Sequence, residues 1–568
     1  MSRQIFAWEI PYYRLKSREY WWECLYVFLL LLAALVLFCH NLGSLPLRDW
    51  DESTFAQVAR EIYESSFSHW QWLFPTLWRK PYLNKPPLIH TLTAIAYSFL
   101  GVNEFSSRIV GASLTALSVP LLYLMVRELF IPRYYALFSA LVYLTTLPVV
   151  RHGRLAMLDG AVLCFEILFF LCLLKTRRDL RYSYGVGISL TLLCLTKGWM
   201  MAVLLGVIGL VFILWDTPRL VTSFYFWGGV ILGILPSVAW YSAQYLYYGE
   251  QYLKTAIQHQ SLNRIFQVVE GNSGAVWYYL LELAKYYHPW LFLSFWGIRQ
   301  AWLHRNWSWG RLIIATVIPF LIAISLMQTK LPWYILPIYP FLAITTAVAL
   351  AETKNLPSSQ PYPPLWSGFF FTLTLATMGG MAYFILTQPE AEHILANLIL
   401  LSITFLAVAI FLQRRDEQFI VVLFWGMFIS LAVFVSSPYW LWELNEAFAV
   451  KPVAELIREN VPENKPVYIN FEYERPSLNF YSQRLVPTFK WEEIEKLAQD
   501  SYLLIPRDSL DSLRHSHPTV YRNSCDNGAC LEKIGGNFIL LEPQNQYKEN
   551  EWKIEYNQVK NNPQEKYK

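Results

Sequence analysis

"PLIHTLTAIAYSFLG", residues 87–101, is apolar enough to enter a membrane but short for crossing one. A hydrocarbon core of roughly 30 Å asks for about 20 residues of helix, and Pro86 and Pro87 stand at the start of this stretch. Whether it crosses decides the fold, because one crossing more or less reverses the side of every later loop. The loops answer through their charge. "RELFIPR" (127–133), "KTRRDLR" (175–181), "RQAWLHR" (299–305) and "QRRDE" (413–417) are the basic connections, and such loops stay cytoplasmic. The first long apolar run, 20–39, follows Arg3, Arg14, Lys16 and Arg18 and therefore runs outward. With 127–133 inside, residues 40–107 contain no net crossing. The stretch 87–101 then lies along the membrane surface, or dips and returns.

Composition agrees with a polytopic helical membrane protein. The 568 residues are 55% hydrophobic, 17% aromatic and only 15% charged, with mean hydropathy +0.29, where soluble domains carry about 25% charge. A net charge of +4 gives no reason to expect a nucleic-acid partner. Beyond 20–39, candidate spans fall at 108–126, 134–150, 160–174, 184–196, 199–215, 224–245, 289–303, 312–328, 332–350, 366–387, 394–413 and 419–437, thirteen in all. The first resembles a signal peptide, but it is long and "CHNLGSLP" offers no cleavage site. It reads as an uncleaved helix with a cytoplasmic N-terminus, residues 1–19.

Alternation then places 40–107, 151–159, 197–198, 246–288, 329–331 and everything after Ser437 on the outer side. The membrane domain is 20–437, with 40–107 its first extracytoplasmic loop carrying surface helices. Residues 438–548, where "VYIN" and "YLLIP" alternate with helical patterns, read as a small extracytoplasmic α/β domain. The polar end, 549–568, reads as a disordered tail. Of seven cysteines, Cys525 and Cys530 stand together in this outer region; their C-x4-C spacing suits a disulfide, or half a zinc site were the region internal.

Charge is scarce, so where it gathers is informative. "LRDWDESTFAQVAREIY" (47–63) holds Asp49, Asp51 and Glu52 within four positions. If Asp51 starts a helix, Phe55, Val58, Ala59 and Ile62 share a face. A helix N-terminus favours one acid; three exceed that need. "RHGRLAMLDG" (151–160) places Arg151, Arg154 and Asp159 between two apolar spans, where ionisable groups are costly. "LNKPP", "LTKGW" and "QTKLPWYILP" add Lys85, Lys197 and Lys330, with Tyr334 beside the last. A lone lysine at a helix end usually snorkels to headgroups. Four basic sites on one face, counting Arg151 with Arg154, suit binding of an anion such as a lipid phosphate. The loop "IQHQSLNRIF" contributes His259 and Arg264. Walker A, GxGxxG and HExxH motifs are absent from the sequence, which argues against soluble nucleotide cofactors.

An acidic "DE" after the first span, then "NKPP", "RLAMLD", "LTKG" and "KLPWYILP", in that order, resemble the GT-C class of membrane glycosyltransferases. More closely, they are similar to the group containing the bacterial aminoarabinose (lipid A) transferase and its protein-mannosyltransferase-like relatives. The resemblance runs from about residue 40 to 350. It implies a GT-C fold, a polyprenyl-phosphate-linked sugar as donor, and transfer outside the plasma (inner) membrane. It makes Asp51 and Asp159 the catalytic aspartates of the first and second loops. Lys85, Arg151, Arg154, Lys197, Lys330 and Tyr334 become donor-phosphate residues, and Glu52, Asn84, His259 and Arg264 further site candidates.

The chain departs from the aminoarabinose transferase pattern at two places. Asn84 and Gln258 replace residues that include a metal-binding glutamate, and an amide oxygen is a poor zinc ligand. A divalent metal therefore has His259 at most as a ligand, and no other cofactor is implied. Chemically, the leaving group departs as a phosphate and needs no protonation. Cations that stabilise it and a base for the acceptor hydroxyl suffice; Asp51 is assigned as base, and Asp159 orients groups or pairs with Arg154. The acceptor class is open among a lipid A-like glycolipid, a protein and a glycan, and oligomeric state is not legible. The alternatives are a lipid or solute transporter, which predicts mid-membrane charge and repeat symmetry, and a non-catalytic envelope assembly protein.

Overall fold

The structure is a computed structural model. It describes residues 17–65, 70–388, 390–441, 450–471, 473–506, 530–531 and 538–541, with 509, 513, 515 and 516 singly. It is that of an integral membrane protein, and every expected span position is helical. The helices begin with α1 (Ser17–Cys39), α2 (Asp51–Glu64), α3 (Leu88–Leu100), α4 (Glu104–Arg127), α5 (Arg133–Leu144), α6 (Leu147–Gly153), α7 (Asp159–Thr176), α8 (Tyr182–Lys197), α9 (Trp199–Asp216) and α10 (Phe224–Tyr248). Later long helices are Trp290–Leu303, Ser308–Leu326, Tyr339–Lys354, Pro364–Thr387, Glu392–Arg414 and Gln418–Ser436.

Among the described residues nine helices are long and apolar enough to cross a membrane, or ten if a bent pair counts as one. That pair is α5 with α6, which meet at 61° instead of forming the one straight span expected over 134–150. Pro148, in the first turn of α6, has no N–H to give the preceding turn. The bend places Arg151 and His152 on a short buried helix of their own. Besides that pair, three expected spans fall outside the nine for reasons of length or charge. α8 has 16 residues and Trp290–Leu303 has 14, while α7 carries Asp159, Glu166 and Lys175.

Contacts divide the chain into two units, Met1–Leu45 with Val58–Leu441, and Pro46–Gln57 with Trp442–Lys568. The boundary between Gln57 and Val58 lies inside α2. In the first unit α4 packs on α1, α5 and α7, and α7 on α8. α8 meets α10 through Gly187 and Gly233, where a Cβ on Gly187 would lie 2.3 Å from the Val230 carbonyl oxygen. Small residues of this kind let membrane helices approach closely. α8 stops at Gly198, whose φ of +106° suits a residue without a Cβ; Lys197 is thereby left at the helix end. The short hairpin of β1 (Thr76–Leu77) and β2 (Lys80–Pro81) is held by Glu61 of α2, which accepts from Thr76 Oγ1 and the Trp78 N–H, both at 2.5 Å.

The second unit is built on a four-stranded sheet of β3 (Val467–Ile469), β4 (Tyr502–Pro506), β5 (Cys530–Leu531) and β6 (Phe538–Leu541), in the order β3-β4-β6-β5. β3 and β4 are parallel and the other pairings antiparallel. Alternation of side chains sends Ile469, Tyr502, Leu504 and Leu540 to one face. There they bury against Val453 and Ile457 of the helix Val450–Asn460 and Leu478 of the helix Pro476–Ser482. Leu503, Ile505 and Leu541 take the other face with Ile494. Cys525, the side chain of Cys530 and the tail 549–568 lie outside the described residues, so the disulfide expectation does too.

Candidate active site

In the first unit the site grows from two helix ends. Asp159 opens α7 and Lys197 closes α8. Each charge complements its own helix dipole, and the packing of α7 on α8 joins them. Lys197 Nζ lies 2.5 Å from Asp159 Oδ1, with only 12% and 5% of the two side chains exposed. Asp159 thus pairs with Lys197 and not with Arg154, the partner expected from sequence.

The pair leads to two more of the singled-out residues. Lys197 Nζ sits 5.6 Å from the centre of the Tyr334 ring, within cation–π range. The Tyr334 hydroxyl accepts from Arg264 Nη1 at 3.2 Å, and Arg264 Nη2 lies 3.6 Å from Glu270. Backbone lacing explains the meeting of segments so far apart in sequence. The N–H groups of Gln328 and Thr329 donate to the carbonyls of Ile265 and Arg264, and that of Lys330 to Asn272. The side chain of Thr329 ties in Gln267 and Val269.

The other basic residues have different surroundings. Lys330 is buried, and its ammonium donates to the carbonyls of Ile324 (3.1 Å), Ser325 (2.5 Å) and Met327 (2.5 Å), at the end of Ser308–Leu326. It caps that helix, and burial lowers its pKa from the ordinary lysine value. Arg154 is fully buried. Its Nη1 donates to the carbonyls of Leu37 and Phe38 at the end of α1, at 2.8 and 3.2 Å. Its guanidinium stands 4.6 Å from the Trp440 ring centre. Arg108 approaches the same ring at 5.3 Å and holds the carbonyls of Leu42 and Leu45. Nothing in the sequence set Arg108 apart from an ordinary charge at a span boundary. Arg151 is buried on α6.

Lys85 is half-buried and Asn84 exposed on the connection from β2 to α3. Leu83 anchors that connection against Trp240 and Tyr252. His90, also unremarked in the sequence, fixes it from the other side. Its Nδ1 lies 3.2 Å from the Pro86 carbonyl and so must carry the proton, and burial pushes its pKa down to about 3. His259 is exposed on a π-helical segment, Leu253–Leu262, with Nδ1 3.2 Å from Asn263 Nδ2. Among the described residues no three His, Cys, Asp or Glu side chains gather to hold a metal ion. With Asn84 and Gln258 in the positions already noted, the described residues around His259 do not fit a divalent metal.

The acidic stretch belongs to the second unit. Asp51 begins α2, as its spacing implied, and Phe55 of that face is buried, as are Val58, Ala59 and Ile62 farther along. Asp51 Oδ2 meets Arg48 Nη2 at 2.9 Å, and 39% of its side chain is exposed. Glu52 is fully buried and accepts the Arg48 N–H at 2.9 Å. Asp49 pairs with Arg475 at 2.9 Å.

Known proteins share both the fold and part of the sequence. The family model of dolichyl-phosphate-mannose-protein mannosyltransferases matches residues 27–258. The crystal structure of ArnT from Cupriavidus metallidurans bound to undecaprenyl phosphate superposes with TM-score 0.70, covering 92% of this chain and 97% of that one at 18% identity. An oligosaccharyltransferase from Archaeoglobus fulgidus superposes with TM-score 0.52 at 12% identity, over 88% of this chain and 71% of its own. The fold is that of these solved membrane enzymes. In sequence the chain is similar to the undecaprenyl phosphate-alpha-4-amino-4-deoxy-L-arabinose arabinosyl transferase 1 of Pseudomonas fluorescens, 29% identical over 366 residues, 62% of this chain. The match spans 65% of that relative's own length.

Proposed function

We propose that the protein transfers a sugar from a polyprenyl-phosphate donor to an envelope acceptor (a lipid A-like glycolipid, a protein or a glycan) on the extracytoplasmic face of the plasma membrane. In this reading all thirteen helical positions are spans, the N-terminus is cytoplasmic, and the sheet-containing unit is an extracytoplasmic α/β domain. The observation that carries it is the Lys197 ammonium, keyed by Asp159 and adjoining Tyr334, whose hydroxyl in turn holds Arg264. A lysine already oriented by a buried carboxylate is preorganised for an anionic leaving group and needs little rearrangement as charge develops. The fold shared with an undecaprenyl phosphate-bound enzyme supports the same donor chemistry.

The step balances simply. The acceptor oxygen attacks the anomeric carbon while its proton passes to Asp51. The bond from that carbon to the phosphate oxygen breaks, and polyprenyl phosphate leaves with the electron pair. Lys197 and Arg264 receive the growing phosphate charge; Lys85 and Arg151 are proposed to add to it. No step passes through a metal. Purified protein in proteoliposomes, given labelled undecaprenyl-phosphate sugars of several kinds, should release undecaprenyl phosphate and lose most of this activity as Asp51→Asn. A donor that crosses the bilayer intact would instead identify a transporter.

A further inference from the structure

Three acids crowd four positions of the sequence, and the structure gives each a different surrounding. Glu52 is buried beneath the turn that precedes it. Asp51 keeps 39% of its side chain open. Asp49 keeps 10%, and its carboxylate is divided between two groups of one segment, "FEYERPSLNFY" (471–481). One oxygen takes Arg475 Nη1 at 2.9 Å and the other the Ser477 N–H at 2.9 Å. The same segment receives the residues on either side. The Leu47 N–H donates to the Tyr481 hydroxyl at 2.8 Å, and the Trp50 ring lies 6.2 Å from that of Tyr473. Arg475 is itself wedged against aromatic faces, 4.7 Å from Phe471 and 4.6 Å from Tyr473.

A charge pair this shielded from water is costly to desolvate and contributes little net stability compared with an apolar contact. Its value lies in fixing one geometry. That geometry passes stiffly to Asp51, because a three-residue turn joins the two acids. The Asp51 N–H donates to the Asp49 carbonyl at 2.8 Å around Trp50, whose φ is +59°. Such a turn at a bulky residue is strained and persists only where its surroundings over-determine it. The contacts of Leu47, Asp49 and Trp50 supply that constraint.

We infer that Asp49 and Arg475 form a latch through which the C-terminal unit positions the Asp51 carboxylate for transfer, which makes Arg475 a positioning residue of the reaction. This rests on the reading of Asp51 as the base. The test uses full-length protein in proteoliposomes and compares Arg475→Met, Arg475→Lys, Asp49→Asn, the Asp49→Asn/Arg475→Met double variant and the charge swap Asp49→Arg/Arg475→Asp. Arg475→Met should lower kcat about 100-fold, the scale of a 1 Å misplacement, with donor KM within about twofold. Arg475→Lys should retain part of kcat, the double variant should be no worse than the worse single one, and the charge swap should recover part of kcat.

Wild-type kcat in Arg475→Met, alongside an inactive Asp51→Asn, would overturn the latch alone. Full activity in Asp51→Asn would overturn the base assignment and the latch with it. Equal losses in Arg475→Lys and Arg475→Met with no recovery in the swap would also count against it. If Arg475→Met does not accumulate in the membrane, the Arg475→Lys and swap results decide.

Discussion

Lys197 and Lys330 look alike in sequence, each a lone lysine following an apolar helix, and their surroundings are opposite. Lys197 meets a carboxylate that holds it in place beside Tyr334. Lys330 folds back on three carbonyls at the end of its own helix. The difference lies in what the neighbouring chain offers. α7 presents an acid at its N-terminus where α8 ends, whereas the helix Ser308–Leu326 meets no partner acid among the described residues and leaves its last carbonyls to the nearest ammonium. In the proposed reaction Lys197 is therefore the lysine assigned to chemistry, and Lys330 the one assigned to holding its helix end.

Three sets of variants would break or sharpen this contrast. The largest effect should come from Lys197→Met and from Asp159→Asn, each lowering donor turnover about 100-fold or more, as loss of one preorganised donor does elsewhere. Lys197→Arg should keep part of it, and release of undecaprenyl phosphate is the readout. Lys330→Met should act on stability instead. Leaving buried carbonyls unsatisfied costs about 1–3 kcal/mol, visible as a lower thermal midpoint in detergent, with donor KM unchanged. A Lys330→Met protein that is fully stable but cannot use the donor would reverse the two roles.

The smallest effect should belong to His259→Ala. Turnover should stay within about twofold of wild type before and after thorough chelation, because too few suitable ligands surround it. A metal-rescued loss in wild type would restore the metal site that Asn84 and Gln258 speak against.

Much of the membrane architecture was legible without coordinates. The cost of burying an unpaired peptide group in lipid makes each long apolar run helical, and among the described residues nine helices, or ten with the bent pair α5 and α6, are long and apolar enough to cross. The bend at Pro148 was visible in principle, since proline was there to be read. The site was legible in part. Asp159, Lys197, Tyr334 and Arg264 were singled out and come together, while Arg154, chosen on the same grounds, is buried against α1 and Trp440. Arg108 and His90 gave no local signal at all. Their importance lies in carbonyls, of Leu42 and Leu45 for one and of Pro86 for the other, and every residue in the chain has a carbonyl.

The sequence by itself determined which segments are apolar enough to become helices of a membrane protein, which loops carry charge and which residue types are available for an anionic donor, because hydropathy and charge are properties of each residue taken in order. Only the tertiary structure decided how the charges were partnered: Lys197 with Asp159, Asp49 with Arg475, Lys330 with its own helix end. A charge's energy depends on the few groups within about 4 Å of it, and for most of these pairs those groups lie tens to hundreds of residues away along the chain.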